Sequence, residues 1–193
     1  MITAEEVIYL YQLLESHGIQ VWLTGGWGID ALLGENTRPH KDLDIFLLVE
    51  DLIPMNTLLA AEGYELKELW SENLQTIDSK GNVVETGYVL HDSQGHELDI
   101  HAFRFDLQGN AIPAWQVEEG FILTPHDLSG VGTITGLHVR CQSAENQMYC
   151  HTGYIIPAHQ WGDLDALHDR LGVEFPDSIA KQRLGQSSPR AQT

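Results

Sequence analysis

The sequence predicts an α+β fold: a mixed β-sheet flanked by helices, with a small helical part at the C-terminal end. Three observations carry that prediction. Helical stretches fall at the start of the chain, in a short segment around residue 30, just after residue 50 and in the region beyond residue 140. The middle is built of β-branched and aromatic runs divided by Lys80-Gly81-Asn82, Asp92-Ser93-Gln94-Gly95 and Gln108-Gly109-Asn110, which is turn chemistry. Two acidic stretches, Asp42-Leu43-Asp44-Ile45 and Leu98-Asp99-Ile100-His101, alternate carboxylates with apolar residues, as strands buried on one face do. The expected organisation is a core over residues 1–140, helices over 141–185, and a polar, disordered tail over 186–193.

Each element has a local reason. Thr3 and Glu6 form a capping box, and Ile2 with Val7 a hydrophobic staple, ahead of the periodic residues Val7, Leu10, Tyr11, Leu13 and Leu14, with Gly18 as the stop. Residues 20–24 read as a first strand, and residues 27–33 as a short helix leaving a glycine turn at Gly25-Gly26 and ended by Gly34. A polar loop over 35–41 leads to a second strand over 42–49 and a helix over 51–62, which puts Leu52, Met55, Leu58 and Leu59 on one face before Gly63. Strands are expected over 64–69, 74–78, 83–91, 97–105 and 133–140, as an antiparallel extension of the sheet. Ser143 caps a helix through Gly153, and a second runs over 160–171 after the break at Pro157.

Composition narrows the function. The 193 residues suffice for one domain with a real core, and 42% hydrophobic with 20% charged residues is ordinary globular composition. No apolar run is long enough to cross a bilayer and the acidic start lacks a secretion signal's basic end, so a cytoplasmic protein without membrane partners is expected. Two cysteines make no disulfide framework. With 28 acidic against 10 basic residues, the formal charge of -18 opposes nucleic-acid binding and welcomes cationic small molecules, while also conferring solubility. A homodimer suits so small a chain.

The chemistry gathers in two stretches. Asp42 and Asp44 project from the same side of a strand and repel one another unless a cation lies between them, and oxygen ligands of this kind suit Mg2+ with substrate phosphates. Asp99 is the natural third carboxylate. The glycines Gly25 and Gly26 let a backbone approach a ligand closely, and Thr24, Arg38 and Lys41 stand near as phosphate contacts. Asp30 serves equally as a ligand or as a charge matching its helix's dipole. His40 lies in the same basic loop as Arg38, His101 beside Asp99, and His151 and Tyr154 at the mouth of the site; Trp27 follows the glycine pair. A zinc site at His96, Asp99 and His101 is disfavoured, because His96 and His101 have opposite parity along a strand.

Gly25-Gly26-Trp27-Gly28-x-Asp30, Arg38-x-His40-x-Asp42-Leu43-Asp44-Ile45, Leu98-Asp99-Ile100-His101, Cys141-x-Ser143-x-Glu145 and His151-x-Gly153-Tyr154 together resemble the lincosamide nucleotidyltransferases and the related aminoglycoside 2''-nucleotidyltransferases, within the polymerase-β-like nucleotidyltransferase superfamily. The resemblance runs from residue 1 to about 170. It implies a nucleotidyltransferase-like sheet and Mg2+-dependent transfer of a nucleoside monophosphate from ATP or another nucleoside triphosphate to a hydroxyl of a small antibiotic. Asp42 and Asp44 hold Mg2+ in this reading, and Asp99 binds a second ion or acts as general base. Trp27 stands where many superfamily members have serine, which leaves the phosphate contacts to Thr24, Arg38 and Lys41. The resemblance makes a lincosamide the first acceptor, with resistance by inactivation; transfer to an aminoglycoside, to a protein or to a metabolite, or a binding module without turnover, are the alternatives.

Overall fold

The computed structural model describes residues 1–187. Its centre is an eight-stranded mixed sheet in the order β3-β6-β7-β2-β1-β10-β9, with β8 pairing β7. In chain order these strands are β1 (Val21–Thr24), β2 (Asp42–Leu48), β3 (Glu65–Leu69), β6 (Gly87–His91), β7 (Glu97–Phe105), β8 (Ala111–Pro113), β9 (Gly130–Ile134) and β10 (Leu137–Cys141), while β4 (Gln75–Ile77) and β5 (Val83–Glu85) form a separate hairpin. The expected mixed α+β architecture is present, but the two acidic strands β2 and β7 run parallel. The antiparallel pairings lie to either side, at β6–β7, β7–β8 and β1–β2.

Alternation along the strands divides the sheet's two faces. Leu43, Ile45 and Leu47 of β2, Leu98, Ile100 and Ala102 of β7, and Val21 and Leu23 of β1 enter the main core. That core is closed by Val7, Leu10, Tyr11 and Leu14 of α1 (Ala4–Ser16) and by Leu52, Met55 and Leu59 of α3 (Leu52–Ala61). The Thr3–Glu6 capping box forms as expected. On the opposite face, Trp22, Phe46 and Phe103 join Leu123 and Leu128 in a smaller cluster, and the polar residues of the site stand above it. The helices α2 (Gly25–Leu33), α4 (Ala144–Tyr149) and α5 (Trp161–Leu171) converge through Ile29, Met148, Trp161, Leu164 and Leu167, joined by Ile179 of α6 (Asp177–Ser187).

Several boundaries differ from expectation. No turn precedes α2: Gly25 and Gly26 are its first residues. The run expected as one strand over 83–91 divides at Thr86, whose hydroxyl donates to the Leu74 and Ala114 carbonyls and turns the chain from β5 to β6. The strand expected over 133–140 is a hairpin, β9–β10, reversing at Thr135 and Gly136, both at positive φ, as a tight two-residue turn demands. The helix capped by Ser143 ends at Tyr149, and the irregular chain beyond it borders the site. Gln186 and Ser187 close α6, and the rest of the expected tail, 188–193, lies outside the described residues. Among the described residues no helix is long and apolar enough to cross a membrane.

Candidate active site

Parallel register sets Asp44 directly beside Asp99, and Asp42 beside Glu97, on the face opposite the main core. Each of the two carboxyls is raised to about 7, chiefly by burial and then by a neighbouring carboxylate: Asp42 for Asp44, and Asp44 for Asp99. Asp99 Oδ1 is buried without a partner. An orphaned oxygen on a crowded pair of buried carboxylates suits a cation, and all-oxygen donors fit Mg2+. Among the described residues no three His, Cys, Asp or Glu side chains stand together as a group that could hold a metal ion by themselves. His96 is tied instead to Asp92 and Glu6.

The glycines of α2 are explained by what lies against them. Gly25 has φ +59°, and a methyl there would collide with Asp44 Oδ2. A methyl on Gly26 would strike the His40 ring, and one on Gly28 would strike the Gln147 amide and come 2.8 Å from the Leu23 carbonyl. The helix start is thus drawn tightly under the carboxylates, and its first N–H groups, unpaired within the helix, present a partial positive charge at that point.

A cleft of ≈ 1090 Å³ opens over this face, and its two ends differ in chemistry. At one end Arg38 forms a fork on Asp163 of α5, with Nε at 3.1 Å from both oxygens and the terminal nitrogen at 2.6 Å, which raises the guanidinium's pKa. Lys41 pairs with Glu97 at 2.7 Å and stays largely in solvent. At the other end stand Trp70, Trp115 and Phe121 with Glu72 and Glu118. Between them His101 stacks on Phe46 at 4.8 Å, and burial pushes it down to about 3, so the ring is neutral 3.6 Å from Asp44.

Among the sequence candidates, Gly25, Gly26, Thr24, Arg38, Lys41, Asp42, Asp44, His40, His101, His151 and Tyr154 all line the cleft. Thr24 is nonetheless engaged, its hydroxyl donating to Gln142 at 2.8 Å. His151 donates from Nδ1 to the Gln147 carbonyl at 2.8 Å, which leaves Nε2 as an acceptor while burial lowers the ring's pKa. Tyr154 donates to Gln160.

Two candidates belong to the scaffold instead. Trp27 is 2% exposed, sits in the main core and packs on His40, because the third residue of α2 faces inward. Asp30 is equally buried and saturated by His40 at 2.6 Å, Asn36 at 3.1 Å and the Thr37 hydroxyl at 2.5 Å, which fixes the 35–41 loop rather than a ligand. Sequence reasoning missed Asp163, Gln147, Trp70 and Trp115. An acidic residue in a helix's first turn reads as dipole compensation, and isolated tryptophans read as core, so neither carries a local signal.

The family model described as Aminoglycoside-2''-adenylyltransferase matches residues 6–167. A lincosamide resistance protein of Staphylococcus haemolyticus is 27% identical over 153 residues, covering 79% of this chain and 86% of that protein. A 2''-aminoglycoside nucleotidyltransferase of Klebsiella pneumoniae is 26% identical over 168 residues, 81% of this chain and 79% of its own length. Among solved structures, the lincomycin-bound lincosamide antibiotic adenylyltransferase LnuA aligns with TM-score 0.72 at 25% identity over 87% of this chain and 98% of its own. ANT(2")-Ia in complex with adenylyl-2"-tobramycin shares the fold, with TM-score 0.65 at 18% identity, covering 94% of this chain and 95% of that one. A sheet that carries three aspartates beside a glycine-led helix, and a family match through nearly the whole of that sheet and the helices over it, lead to one assignment: the chain belongs to the aminoglycoside-2''-adenylyltransferase family of nucleotidyltransferases.

Proposed function

We propose that this nucleotidyltransferase moves a nucleoside monophosphate from a nucleoside triphosphate, ATP first, to a hydroxyl of a lincosamide antibiotic and so inactivates it in the cytoplasm. The observation that carries the reading is the register of Asp44 with Asp99, with Gly25 drawn beneath Asp44. Asp42, Asp44 and Asp99 would hold Mg2+, with substrate phosphates and water completing its ligands. When bound, the ion neutralises the triphosphate and the charge that builds on the entering and leaving oxygens.

This chain's own residues do the rest. The N–H groups at the start of α2 face the phosphates, and Arg38, held rigid by Asp163, donates its remaining N–H to them. Lys41 adds a mobile charge at the rim. The acceptor oxygen attacks the α-phosphorus in line, its proton passes to the carboxylate of Asp99 beside Asp44, and the bond to pyrophosphate breaks. Positioning and fixed charge supply most of the rate in such transfers.

The acceptor enters from the aromatic and acidic end. Trp70, Trp115 and Phe121 offer apolar surface, while Glu72 and Glu118 offer charge, a pairing that fits an amphipathic molecule with one protonated amine better than a polycation. Similarity to a lincosamide resistance protein and to LnuA supports the same acceptor. The acidic charge and the family keep aminoglycosides as the second reading. Incubation with Mg2+, ATP or GTP, and either lincomycin or kanamycin, followed by mass spectrometry, decides between them. A nucleotidylated lincomycin is expected, and Asp44→Asn abolishes it. Modification of kanamycin alone replaces the first reading with the second, and no product with either antibiotic overturns both.

A further inference from the structure

The proposed chemistry leaves His151 without a task, yet its ring is fixed and one of its nitrogens is free. His151 lies just past the end of α4, where its Nδ1 donates to the Gln147 carbonyl at 2.8 Å. A carbonyl only accepts, so Nδ1 carries the ring's proton, and burial lowers the pKa of the ring below the usual histidine value. The neutral ring then presents a lone pair at Nε2. No group among the described residues bonds Nε2, and although His151 is only 7% exposed, it lines the cleft. Capping a helix carbonyl accounts for Nδ1 and for the fixed ring, but gives Nε2 nothing to bind.

The wall around His151 leads to Arg38. The His151 ring centre is 6.3 Å from that of the exposed Tyr154, and the Tyr154 hydroxyl donates to Gln160 Oε1 at 3.0 Å. Gln160 stands one turn before Asp163, which holds Arg38, and all five residues line the cleft. A nucleotide whose phosphates meet Arg38 and the start of α2 can lay its base along this wall. The Tyr154 face stacks on any base, whereas a lone pair discriminates. Adenine offers such an acceptor its 6-amino group, while guanine carries O6 at the same place and would set two acceptors against each other. We propose that His151 selects the base: its Nε2 accepts from the 6-amino group of a purine nucleoside triphosphate and turns 6-oxo purines away. The inference rests on the reading that a nucleoside triphosphate occupies this cleft with its phosphates at Arg38.

Isothermal titration calorimetry with Mg2+ and no antibiotic tests this, using ATP, GTP, ITP and inorganic tripolyphosphate as probes. The wild type is expected to bind ATP about 10- to 100-fold more tightly than GTP or ITP, the cost of leaving a buried acceptor facing another acceptor. His151→Asn keeps a side-chain N–H for the Gln147 carbonyl but has no atom at the Nε2 position, so ATP should weaken about 10-fold and come within about threefold of GTP. His151→Gln reaches the Nε2 position with an amide, which can turn either its oxygen or its nitrogen to the base, so ATP and GTP should bind alike and GTP more tightly than in the wild type. Tripolyphosphate, which has no base, should bind the wild type and both variants equally. A residue that only caps α4 predicts no change in His151→Asn, so an undiminished preference for ATP in that variant overturns the inference. An equal loss for tripolyphosphate overturns it too, because the substitution then acts on the phosphate contacts or the fold. If the wild type binds ATP but shows no preference over GTP, base selection alone fails; if it binds no nucleotide, the nucleotidyltransferase reading of the cleft fails with it.

Discussion

At the scale of single residues, the site carries an electrostatic conflict that a proton or a cation relieves. Asp44 and Asp99 share a buried position with a carboxylate neighbour each, and both are raised to about 7. A carboxyl whose folded pKa exceeds its unfolded value of 3.8 favours the folded state at low pH and loses that contribution as pH rises through the folded value. The metal-free protein is therefore expected to lose stability from this pair between about pH 4 and pH 7. Above that window a bound cation would replace the missing proton, in competition with the titration of the two carboxylates. Thermal melts in EDTA and in Mg2+ at pH 5.5 and pH 8 test this. Mg2+ at ten times its dissociation constant should raise the melting temperature at pH 8 by about 3–6 °C, and by much less at pH 5.5. A melting temperature at pH 8 that ignores Mg2+ would show that the pair is not a cation site.

At the scale of elements, what was legible in the sequence follows from how local each signal is. The capping box at Thr3 and Glu6, the Gly34 stop and the alternation in β2 and β7 depend on neighbours a few residues away, and all appear in the fold. The β9–β10 hairpin was hidden because Thr135-Gly136 carries the chain reversal inside an otherwise unbroken strand-like run. Asp99 was legible as a partner of Asp44 because both sit at the same parity on short apolar strands. Asp163 was not, since its role is set by a residue 125 positions away. That long-range fork joins the 35–41 loop to α5 and fixes the direction of the Arg38 guanidinium. Asp163→Ala should raise KM for the nucleotide while kcat changes little, because Arg38 remains charged but loses its fixed direction. It should also cost about 1.5–3 kcal/mol of stability in chemical denaturation, the worth of a hydrogen bond to a charged group. An unchanged KM would place Arg38 outside the nucleotide's reach.

At the scale of the whole molecule, the formal charge of -18 acts on the two substrates in opposite senses. On the proposed reading a nucleoside triphosphate would approach against the field and depend on Arg38 and Lys41, whereas a protonated acceptor would be drawn toward Glu72 and Glu118. Raising ionic strength from about 0.01 M to about 0.1 M shortens the screening length from about 30 Å to about 10 Å, less than the span of a small domain. KM for the nucleotide should then fall and KM for the cationic acceptor should rise, each by a factor of about 3–10. The steepness of the acceptor's response reports its charge, so kanamycin, with several amines, should respond more steeply than lincomycin, with one. Steady-state kinetics at fixed Mg2+ and pH, varying only NaCl, measure both slopes. Slopes of the same sign would mean that the surface field does not sort the substrates and that each is captured by contacts inside the cleft alone.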